Sequence, residues 1–322
     1  MPKAIRIEQT GGPEVMKLVD VDLSKPEKGE IQIEHRAIGL NYIDVYFRSG
    51  LYPQPLPGGV GMEGAGDVVA VGPGVKDFKV GDRVAYAGGP PGAYAQVRNL
   101  PAAMAVKLPK SISYATGAAM MLQGMTVEYL FRRTYRLQKG QTILFHAAAG
   151  GVGLIAMQWA KALGVKVIGT VGSEEKAKLA KAHGCKHVIL YKTENIVERV
   201  REITKGEMVP VVYDSVGADT WQASLDSLQP FGLFVSFGNA SGPVPPMALT
   251  ALKGSLYATR PSLMAHTGRR ETLESMAKSL FKMVKSGDVR INIDQTYALA
   301  DAAQAHSDLE GRRTTGSTIL LP

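Results

Sequence analysis

The apolar residues divide the chain into two parts of different character. Up to about residue 110, short β-type runs are separated by Gly and Pro, and they cover residues 31–38, 67–71, 83–86 and 93–97. One of the separating turns is the Gly-Pro-Gly sequence at 72–74. Short strands at this spacing are typical of a barrel or a sandwich. The first part of the chain is therefore predicted to be a folded-over β-structure.

From about residue 142 onward, apolar strands alternate with helical patterns. The predicted strands are 142–146, 166–171, 187–191, 210–213 and 233–237. This alternation implies a parallel sheet with helices on both faces. After residue 261 the pattern predicts an amphipathic helix over 270–285, a strand near Ile291, a helix over 299–309 and a closing strand over 317–321. We therefore expect an α/β protein whose second part is a doubly wound parallel sheet.

Length and composition narrow the class of protein. A chain of 322 residues is long enough for about two domains, and 45% hydrophobic content excludes disorder as its main state. The single cysteine, Cys185, cannot form an internal disulfide or a four-thiolate zinc site, which favours a reducing compartment, and we expect the cytoplasm. The first eight residues lack an apolar core of signal-peptide length. The uncharged stretch 140–160 is long enough to span a bilayer, but its glycines favour a buried strand, turn and helix over a membrane span.

A turn of small residues follows the first strand of the second part. The sequence AAAGGVG at 147–153 leads into a helical stretch over 154–163. Such a turn lets a pyrophosphate approach the backbone, where the amides at the helix start face the phosphates. The motif predicts a dinucleotide site with candidate contacts at Ala149, Gly150, Gly151, Val152 and Gly153. The alternative is that the glycines only allow the helix to pack tightly on the strand.

The end of the next strand indicates which dinucleotide is bound. An NAD site places an acidic side chain on the ribose hydroxyls at this point. Gly172 and Ser173 stand there instead, and Lys176 follows three residues later. A hydroxyl and an ammonium group without a carboxylate suit a 2′-phosphate, so NADPH is favoured over NADH, with Tyr191 as a further candidate contact. The ordinary alternatives are an N-cap for Ser173, a solvated helix residue for Lys176 and a strand aromatic for Tyr191.

Seven motifs occur in order along nearly the whole chain: RAIGLNYIDVY (36–46), RSGLYP (48–53), KVGDRV (79–84), FHAAAGGVG (145–153), VYDSVG (212–217), VSFGN (235–239) and TRPSL (259–263). Together they resemble the zinc-free, zeta-crystallin-like quinone oxidoreductases of the medium-chain dehydrogenase/reductase superfamily. The resemblance implies a GroES-like β-barrel catalytic domain, formed by residues 1–125 and 262–322, and an inserted Rossmann NADPH-binding domain over 126–261. It also implies a homodimer or a higher oligomer.

The resemblance argues against a metal. In the zinc-dependent relatives a Cys stands at the position of Asn41, and a Gly-His-Glu motif stands at the position of Gly61, Met62 and Glu63. A catalytic zinc normally needs three protein ligands. The six histidines show no close ligand spacing. We therefore predict no metal site.

The resemblance also supplies candidate site residues. Asn41 and Tyr46 match positions at the nicotinamide end of the site, with Tyr52 nearby, and these three are the candidates for orienting the substrate. Interface packing is the alternative role for Tyr46 and Tyr52. The further cofactor contacts that the resemblance implies are Thr126, Phe237, Gly238, Asn239, Ser241 and Arg312. Because Arg313 adjoins Arg312, the assignment of this arginine is open by one position.

The missing zinc ligands point to an electrophilic substrate. Without a Lewis acid to polarise a carbonyl, the substrate must accept hydride by itself, as a quinone does when it becomes an aromatic hydroquinone anion. We therefore expect NADPH-dependent reduction of a small-molecule quinone. A close alternative is the reduction of activated enones or alkenals by the same hydride geometry.

A role of another class stays open. The net charge of +8 suits anionic partners, which include nucleotide phosphates, RNA and acidic membranes. An NADPH-binding protein that binds RNA, or that serves as a crystallin-like structural protein, is the alternative. The basic residues form no single arm, and no RNA-recognition aromatic motif occurs, so RNA is the weaker expectation. The uncharged stretch 233–240, with the prolines after it, is a candidate subunit edge.

Overall fold

The computed structural model describes residues 1–322 and divides into two compact units. Unit 1 comprises Met1–Met125, Thr267–Lys285 and Ile291–Pro322. Unit 2 comprises Thr126–His266 and Ser286–Arg290. The functional domains expected over 1–125, 126–261 and 262–322 stay a prediction.

The elements follow the predicted change of character along the chain. The first group is β1 (Lys3–Ile7), β2 (Lys17–Asp20), β3 (Glu30–Leu40), α1 (Tyr42–Ser49), β4 (Gly58–Gly59), β5 (Glu63–Val71), β6 (Arg83–Ala87), β7 (Val97–Pro101), β8 (Ala105–Lys107) and α2 (Tyr114–Tyr129). The second is β9 (Thr142–Phe145), α3 (Gly151–Ala162), β10 (Lys166–Val171), α4 (Glu174–Ala182), β11 (His187–Leu190), α5 (Ile196–Ile203), β12 (Val209–Asp214), α6 (Trp221–Asp226), β13 (Leu228–Ser236), β14 (Tyr257–Thr259) and α7 (Leu263–Thr267). The last is α8 (Arg270–Ser286), β15 (Ile293–Ala298), α9 (Ala302–Glu310) and β16 (Ser317–Leu321).

Unit 1 is built around the long strand β3. Its sheet has the strand order β15-β16-β3-β5-β6-β8, with β7 also paired to β3, and a separate sheet has the order β2-β1-β4. The first half of β3 alternates buried and half-exposed residues, which fits a strand with one face on the core. Ile31, Ile33, Ile38 and Leu40 from this strand lie in that core. Burial of such side chains contributes roughly 1.5–3 kcal/mol each, so β3 anchors the unit.

The strand predicted at 93–97 is wrong in position. The residues that pair with β3 are those of β7, Val97–Pro101, and the preceding segment makes only an isolated bridge between Ala95 and Ala4. Ala93 and Tyr94 are buried without belonging to a ladder. Their apolar character reflects this burial under the sheet, which a short sequence run cannot distinguish from strand pairing.

Unit 2 contains a six-stranded sheet in the order β11-β10-β9-β12-β13-β14, and every pairing in it is parallel. The doubly wound sheet predicted from the sequence is therefore confirmed. The strand order reverses between β9 and β12, and ligands of such sheets bind beyond the carboxyl ends of the strands at this point. Leu144, Ile168 and Val212, from three adjacent strands, lie in the core beneath that edge.

The sheet bears on two expectations from the sequence, the membrane span weighed for residues 140–160 and the candidate subunit edge at 233–240. The uncharged stretch 140–160 contains β9, a turn and most of α3, and no helix of the protein combines the length and apolarity that a bilayer crossing requires. The candidate subunit edge at 233–240 stays a prediction; its first residues, 233–236, belong to β13, an interior strand between β12 and β14. Its lack of charge follows from burial inside the sheet. The edge strand on this side is β14.

Candidate active site

The turn between β9 and α3 exposes the backbone of a helix start. Gly150 is the N-cap residue of α3, no side chain caps the helix, and its first turn contains no acidic residue. The first N–H groups of a helix have no partner within it. Together with the helix dipole, these amides form a place where an anion binds favourably.

The two outer glycines of this turn have different tasks. A Cβ on Gly153 would lie 2.4 Å from the carbonyl oxygen of Ala147, so a side chain there collides with the turn itself. A Cβ on Gly150 would meet only the same oxygen, at 3.4 Å, and otherwise points into open space. Tight packing thus explains Gly153, while Gly150 leaves room for a group that approaches the backbone. This shape fits a dinucleotide pyrophosphate.

The corner between β10 and α4 brings together three of the residues predicted to recognise a 2′-phosphate. Ser173 is the N-cap of α4, and its Oγ accepts a hydrogen bond from the backbone N of Lys176 over 3.3 Å. A Cβ on Gly172 would lie 2.7 Å from the hydroxyl of Tyr191, which therefore stands at the same corner. The capping bond uses a lone pair of Ser173, so its hydroxyl proton stays available to an anion.

The loop after β13 packs on the loop after β12. The backbone N of Phe237 donates to the carbonyl of Asp214 over 2.8 Å. A Cβ on Gly238 would lie 2.4 Å from the carbonyl oxygen of Ser215, so only glycine allows this approach. The ring of Phe237 lies 5.8 Å from that of Phe145. The predicted contacts Phe237 and Gly238 thus stand beside the carboxyl end of β9.

Ser241 and Asn239 complete this loop. The backbone N and the Oγ of Ser241 both donate to the carbonyl of Val216, over 2.8 Å and 3.0 Å. Its Oγ also accepts from the backbone N of Asp219 over 3.0 Å. The carbonyl of Asn239 accepts from the backbone N of Gly242. The Ser241 hydroxyl therefore joins two loops of unit 2, and its predicted cofactor contact stays a prediction.

In unit 1, Asn41 is held by a chain of buried polar groups. Its Nδ2 donates to Glu63 Oε2 over 2.6 Å, and its Oδ1 accepts from Gln123 Nε2 over 3.1 Å. Gln123 Oε1 in turn accepts from Ser317 Oγ over 2.9 Å. Asn41 is 5% exposed, and Glu63 is fully buried. Each bond defines which end of the next amide is the donor, so the Asn41 carboxamide has a single favoured orientation.

Two members of this hydrogen-bond network, Gln123 and Ser317, carry no signal in the sequence. Glu63 stands out there only as part of the lost zinc motif. The contact between Gln123 and Ser317 joins residues separated by 194 positions in the sequence. No local pattern encodes such a pairing, and only correlated changes among relatives would have pointed to it.

Two carboxyl groups next to Asn41 have raised pKa values. Burial raises the pKa of Glu63 to about 8, although hydrogen bonds from Asn41 and Leu122 oppose the shift. Burial also raises the pKa of Asp44 to about 7, against hydrogen bonds from the Asn41 backbone and the Tyr94 hydroxyl. Asp44 accepts the Asn41 backbone N–H over 2.9 Å at the start of α1. The cap of this helix is therefore sensitive to pH.

We expect the stability of the protein to fall as the pH rises from about 4 to about 7. Because the folded state raises the pKa of Asp44 to about 7, it favours the protonated form. That contribution is fully present below the ordinary carboxyl pKa and is lost as the pH rises through the folded value. Asp44→Asn keeps a neutral side chain, so its urea midpoint should decline less over this range. Equal declines in both proteins would contradict the assignment to Asp44.

The predicted tyrosines form an aromatic group at α1. Tyr46 is 7% exposed, and its ring lies 5.1 Å from that of Tyr52 and 5.6 Å from that of Tyr42. The backbone N of Tyr52 donates to the carbonyl of Tyr46 over 3.0 Å. Tyr52 also packs edge-on against Phe47. Tyr46 and Tyr52 are thus brought together, and part of their role is packing within unit 1.

The remaining candidates lie at the ends of helices. Thr126 is buried within α2. Arg312 follows α9 with a left-handed φ of 58°. Its neighbour Arg313 forms an ion pair with Asp308 and donates to the carbonyl of Ser307. The structure therefore commits Arg313 to α9, and the assignment of Arg312 as a cofactor contact stays a prediction.

The residues at the zinc positions do not make a metal site. No group of three or more His, Cys, Asp or Glu side chains lies in a metal-binding arrangement. Asn41 uses both ends of its amide for hydrogen bonds, and Met62 is a buried thioether. Neither is a ligand that a catalytic zinc prefers. A zinc ion does not fit this donor set.

Known proteins resemble this chain along its full length. A family model described as zinc-binding dehydrogenase matches residues 151–282, and one described as alcohol dehydrogenase GroES-like domain matches residues 27–110. The chain is 57% identical over 325 residues to a quinone oxidoreductase of Pseudomonas aeruginosa, and the match covers 100% of both chains. The chain belongs to the quinone oxidoreductase family. The resemblance stated from its motifs is therefore confirmed, and it places the chain in the medium-chain dehydrogenase/reductase superfamily.

Solved structures of this family have the same fold. A crystal structure of Escherichia coli quinone oxidoreductase complexed with NADPH matches with a TM-score of 0.98 at 52% identity, over 99% of this chain and 100% of that chain. The predicted α/β fold with GroES-like and Rossmann parts is thereby confirmed. The chain is also 43% identical over 332 residues to a 2-haloacrylate reductase of Burkholderia, covering 100% of this chain and 99% of the relative. The family thus includes reductases of a second kind of substrate.

Proposed function

We propose that this protein is an NADPH-dependent quinone reductase. The observation that carries the proposal is the uncapped start of α3 behind a turn in which Gly150 leaves open space. The corner at Ser173, Lys176 and Tyr191 supports NADPH, because no carboxylate stands where NAD sites place one. Membership of the quinone oxidoreductase family supports the substrate class.

The residues of unit 2 hold the cofactor in this proposal. The N–H groups at 151–153 bind the pyrophosphate, and the backbone of Ala149 and Gly150 borders it. Ser173, Lys176 and Tyr191 bind the 2′-phosphate. Thr126 and the loop residues Phe237, Gly238, Asn239 and Ser241 line the nicotinamide side. Arg312 is a further candidate cofactor contact.

In unit 1, the carboxamide of Asn41 has no titratable proton, and its proposed role is to orient a bound ligand. One N–H of its amide is donated to Glu63 and its oxygen accepts from Gln123, which leaves the second N–H for a ligand. We propose that this N–H holds the nicotinamide carboxamide or a substrate oxygen, with Tyr46 and Tyr52 bordering the ring. NADPH supplies a hydride when bound. The protein must bind the acceptor as a flat ring in a site that excludes bulk water. A water molecule can supply the proton, so no strongly acidic side chain is required.

The test is the initial rate of NADPH oxidation with 1,4-benzoquinone in chelator-treated protein. Parallel reactions use NADH, and a reaction without enzyme corrects for direct chemistry. We expect rapid oxidation that prefers NADPH and is unchanged by added zinc. Loss of turnover after chelation, with recovery on adding zinc, would overturn the metal-free mechanism. NADPH binding without turnover on any acceptor would favour a crystallin-like role instead.

The similarity to a 2-haloacrylate reductase favours a second candidate activity. Reduction of an activated carbon–carbon double bond uses the same hydride geometry, and that relative is 43% identical. Matched panels of quinones and enones separate the two activities by their kcat/KM values.

RNA binding is tested on the same preparation at physiological salt, where tight binding that NADPH displaces would revise the proposal.

Lys176→Glu is expected to weaken NADPH binding by roughly 10–100-fold, while NADH binding changes by less than about threefold. The substitution replaces a cation with an anion beside the 2′-phosphate, and charge-assisted hydrogen bonds contribute roughly 1.5–3 kcal/mol each. Lys178→Glu is the matched control, because Lys178 is exposed on the same helix and changes the net charge equally. Dissociation constants for both cofactors give the result. Equal weakening by both variants would contradict a specific site.

The oligomer and the compartment are also proposals. We propose a homodimer formed at the edge of unit 2, where Phe231, Leu249 and Tyr257 are 70%, 85% and 60% exposed beside the edge strand β14. Exposed apolar edges commonly mark a subunit contact. Light scattering of Tyr257→Lys against the parent protein tests it, and unchanged mass would contradict it. We also propose the cytoplasm, because the single Cys185 cannot form an internal disulfide.

A further inference from the structure

A buried hydrogen-bond network joins three neighbouring strands of unit 2. His146 directly follows β9 and is fully buried. Its Nδ1 lies 2.9 Å from Thr170 Oγ1 on β10, and its Nε2 lies 3.0 Å from Ser224 Oγ on α6. Ser224 Oγ donates to Asp214 Oδ2, at the end of β12, over 2.7 Å. The proposed function assigns no role to any of these four side chains.

The protons of the network can be counted. Asp214 accepts from two backbone N–H groups at Oδ1 and from the Thr220 and Ser224 hydroxyls at Oδ2, so it is a fully satisfied carboxylate. Ser224 has one proton, which points to Asp214, so its oxygen can only accept from His146. The Nε2 of His146 is therefore protonated. Burial lowers the pKa of His146 and so favours the neutral ring, in which Nδ1 accepts from Thr170.

The network lies at the edge of the sheet where the cofactor loops begin. The strands β10, β9 and β12 are adjacent in the sheet. The backbone continues the connection, since the N of His146 donates to the carbonyl of Tyr213 over 3.0 Å and the N of Ala148 donates to the carbonyl of Thr170 over 3.1 Å. The glycine turn follows directly after His146, and the Ser173 corner begins two residues after Thr170. The loop that follows Asp214 accepts the hydrogen bonds of Ser241. A shift in one side chain of the network therefore moves the start of several loops.

We propose that His146, with Ser224, Asp214 and Thr170, positions the cofactor loops as a neutral Nε2–H tautomer. The inference rests on the proposed function and adds a group of positioning residues to it. An apolar side chain in place of His146 would have a lower desolvation cost. It would not form the hydrogen bonds that define the positions of the ends of β9, β10 and β12 relative to one another. Burial lowers the pKa of His146, although the charge of Asp214 opposes the shift. The loops are thereby held in one arrangement that does not depend on protonation.

Four variants separate positioning from simple packing. His146→Leu removes both bonds, and Thr170→Val removes only the proton donated to Nδ1 with little change of shape. His146→Gln retains a donor for Ser224. Val200→Ala is the control for lost stability, because Val200 is buried in the core of unit 2 but outside the network. The readouts are the Kd for NADPH by fluorescence titration, KM and kcat with 1,4-benzoquinone, and the melting temperature.

We expect His146→Leu to raise the Kd and the KM for NADPH about tenfold or more, with kcat at saturating NADPH within about threefold of the parent. Thr170→Val should raise the Kd by about threefold, and His146→Gln should recover most of the affinity lost in His146→Leu. Val200→Ala should lower the melting temperature without changing the Kd. An unchanged Kd in the folded Thr170→Val variant, or a loss of affinity in His146→Leu that Val200→Ala reproduces, would overturn the inference.

The tautomer gives a measurement that needs no variant of the network. In protein labelled with ¹⁵N-histidine, we expect His146 to show a protonated Nε2 and an unprotonated Nδ1, unchanged between pH 6 and 8. A proton on Nδ1, or a titration within this range, would overturn the assignment. The parent protein also separates the two proposals. If it fails to bind NADPH, the proposed function and this inference both fail, whereas parent binding with unaffected variants overturns the inference alone.

Discussion

Gly153→Ala is expected to lower kcat/KM for NADPH by about 100-fold or more and to destabilise unit 2. A Cβ at this position would lie 2.4 Å from the carbonyl oxygen of Ala147 and 2.6 Å from the carbonyl carbon of Ala148. Both neighbours are backbone atoms, so the turn and the first residues of α3 must move apart. Overpacking of this kind costs roughly 1–3 kcal/mol, and a displacement of about 1 Å in a binding group costs about 100-fold in rate. Steady-state kinetics and urea unfolding measure the two effects.

Gly150→Ala is the matched control. The new methyl group points into open space and meets only Ala147 O at 3.4 Å, and the φ of −78° at Gly150 suits alanine. We expect the free energy of unfolding to stay within about 1 kcal/mol of the parent, while NADPH binding weakens about tenfold because the methyl group enters the space proposed for the pyrophosphate. If Gly150→Ala and Gly153→Ala lower the free energy of unfolding equally and bind NADPH with equal affinity, the separate roles assigned to these two glycines are contradicted.

Arg48→Met is expected to lower the free energy of unfolding by about 3–5 kcal/mol. The Arg48 side chain is 2% exposed and forms two 2.8 Å hydrogen bonds to the Glu310 carboxylate. Its guanidinium also donates to the carbonyl of Gly11 over 3.1 Å and to His306 Nδ1 over 3.0 Å. Methionine fills similar volume but leaves these acceptors without a donor in a mostly buried place. Urea unfolding followed by circular dichroism measures the loss.

Lys3→Met tests whether burial is the cause. Lys3 pairs with Asp20 over 3.2 Å, but the two side chains are 48% and 54% exposed. Exposed pairs contribute roughly 0–1 kcal/mol because water and salt screen them. The two substitutions remove the same charge from the same unit. Comparable losses in both variants would refute the claim that the Arg48 pair is structurally dominant.

The helix α1 connects this stability to the proposed chemistry. Arg48 lies at its end, Tyr46 lies on it, and Asn41 is its N-cap residue. Glycine at C′ and an Asp44 carboxylate at the first turn define the two ends of the helix. Because α1 is only eight residues long, it depends on tertiary contacts rather than on its own propensity. The Arg48 contacts with Glu310 therefore hold the helix that carries the candidate substrate residues.

The sequence alone determined the features whose cause is local. A run of apolar residues followed by small residues and a helical pattern forms a strand, a turn and a helix wherever it is placed, so the β9–α3 turn and the parallel sheet were predictable. The absence of an acid after β10 was likewise visible in the chain, because the distance from the glycines to that position is set by one βαβ unit. Burial without strand pairing, as at Ala93 and Tyr94, was the case in which the local pattern misled.

Only the tertiary structure decided which distant side chains meet. The orientation of Asn41 depends on Gln123 and Ser317, which lie 82 and 194 positions from their partners in the chain. His146 has the sequence pattern of an ordinary strand histidine, and it gains Ser224 as a partner only because α6 packs on β12, the neighbour of β9 in the sheet. Hydrogen bonds of this kind tolerate only a few tenths of an ångström of variation in the distances between separate elements. Local propensity and periodicity specify the elements, but packing of the whole unit specifies those distances.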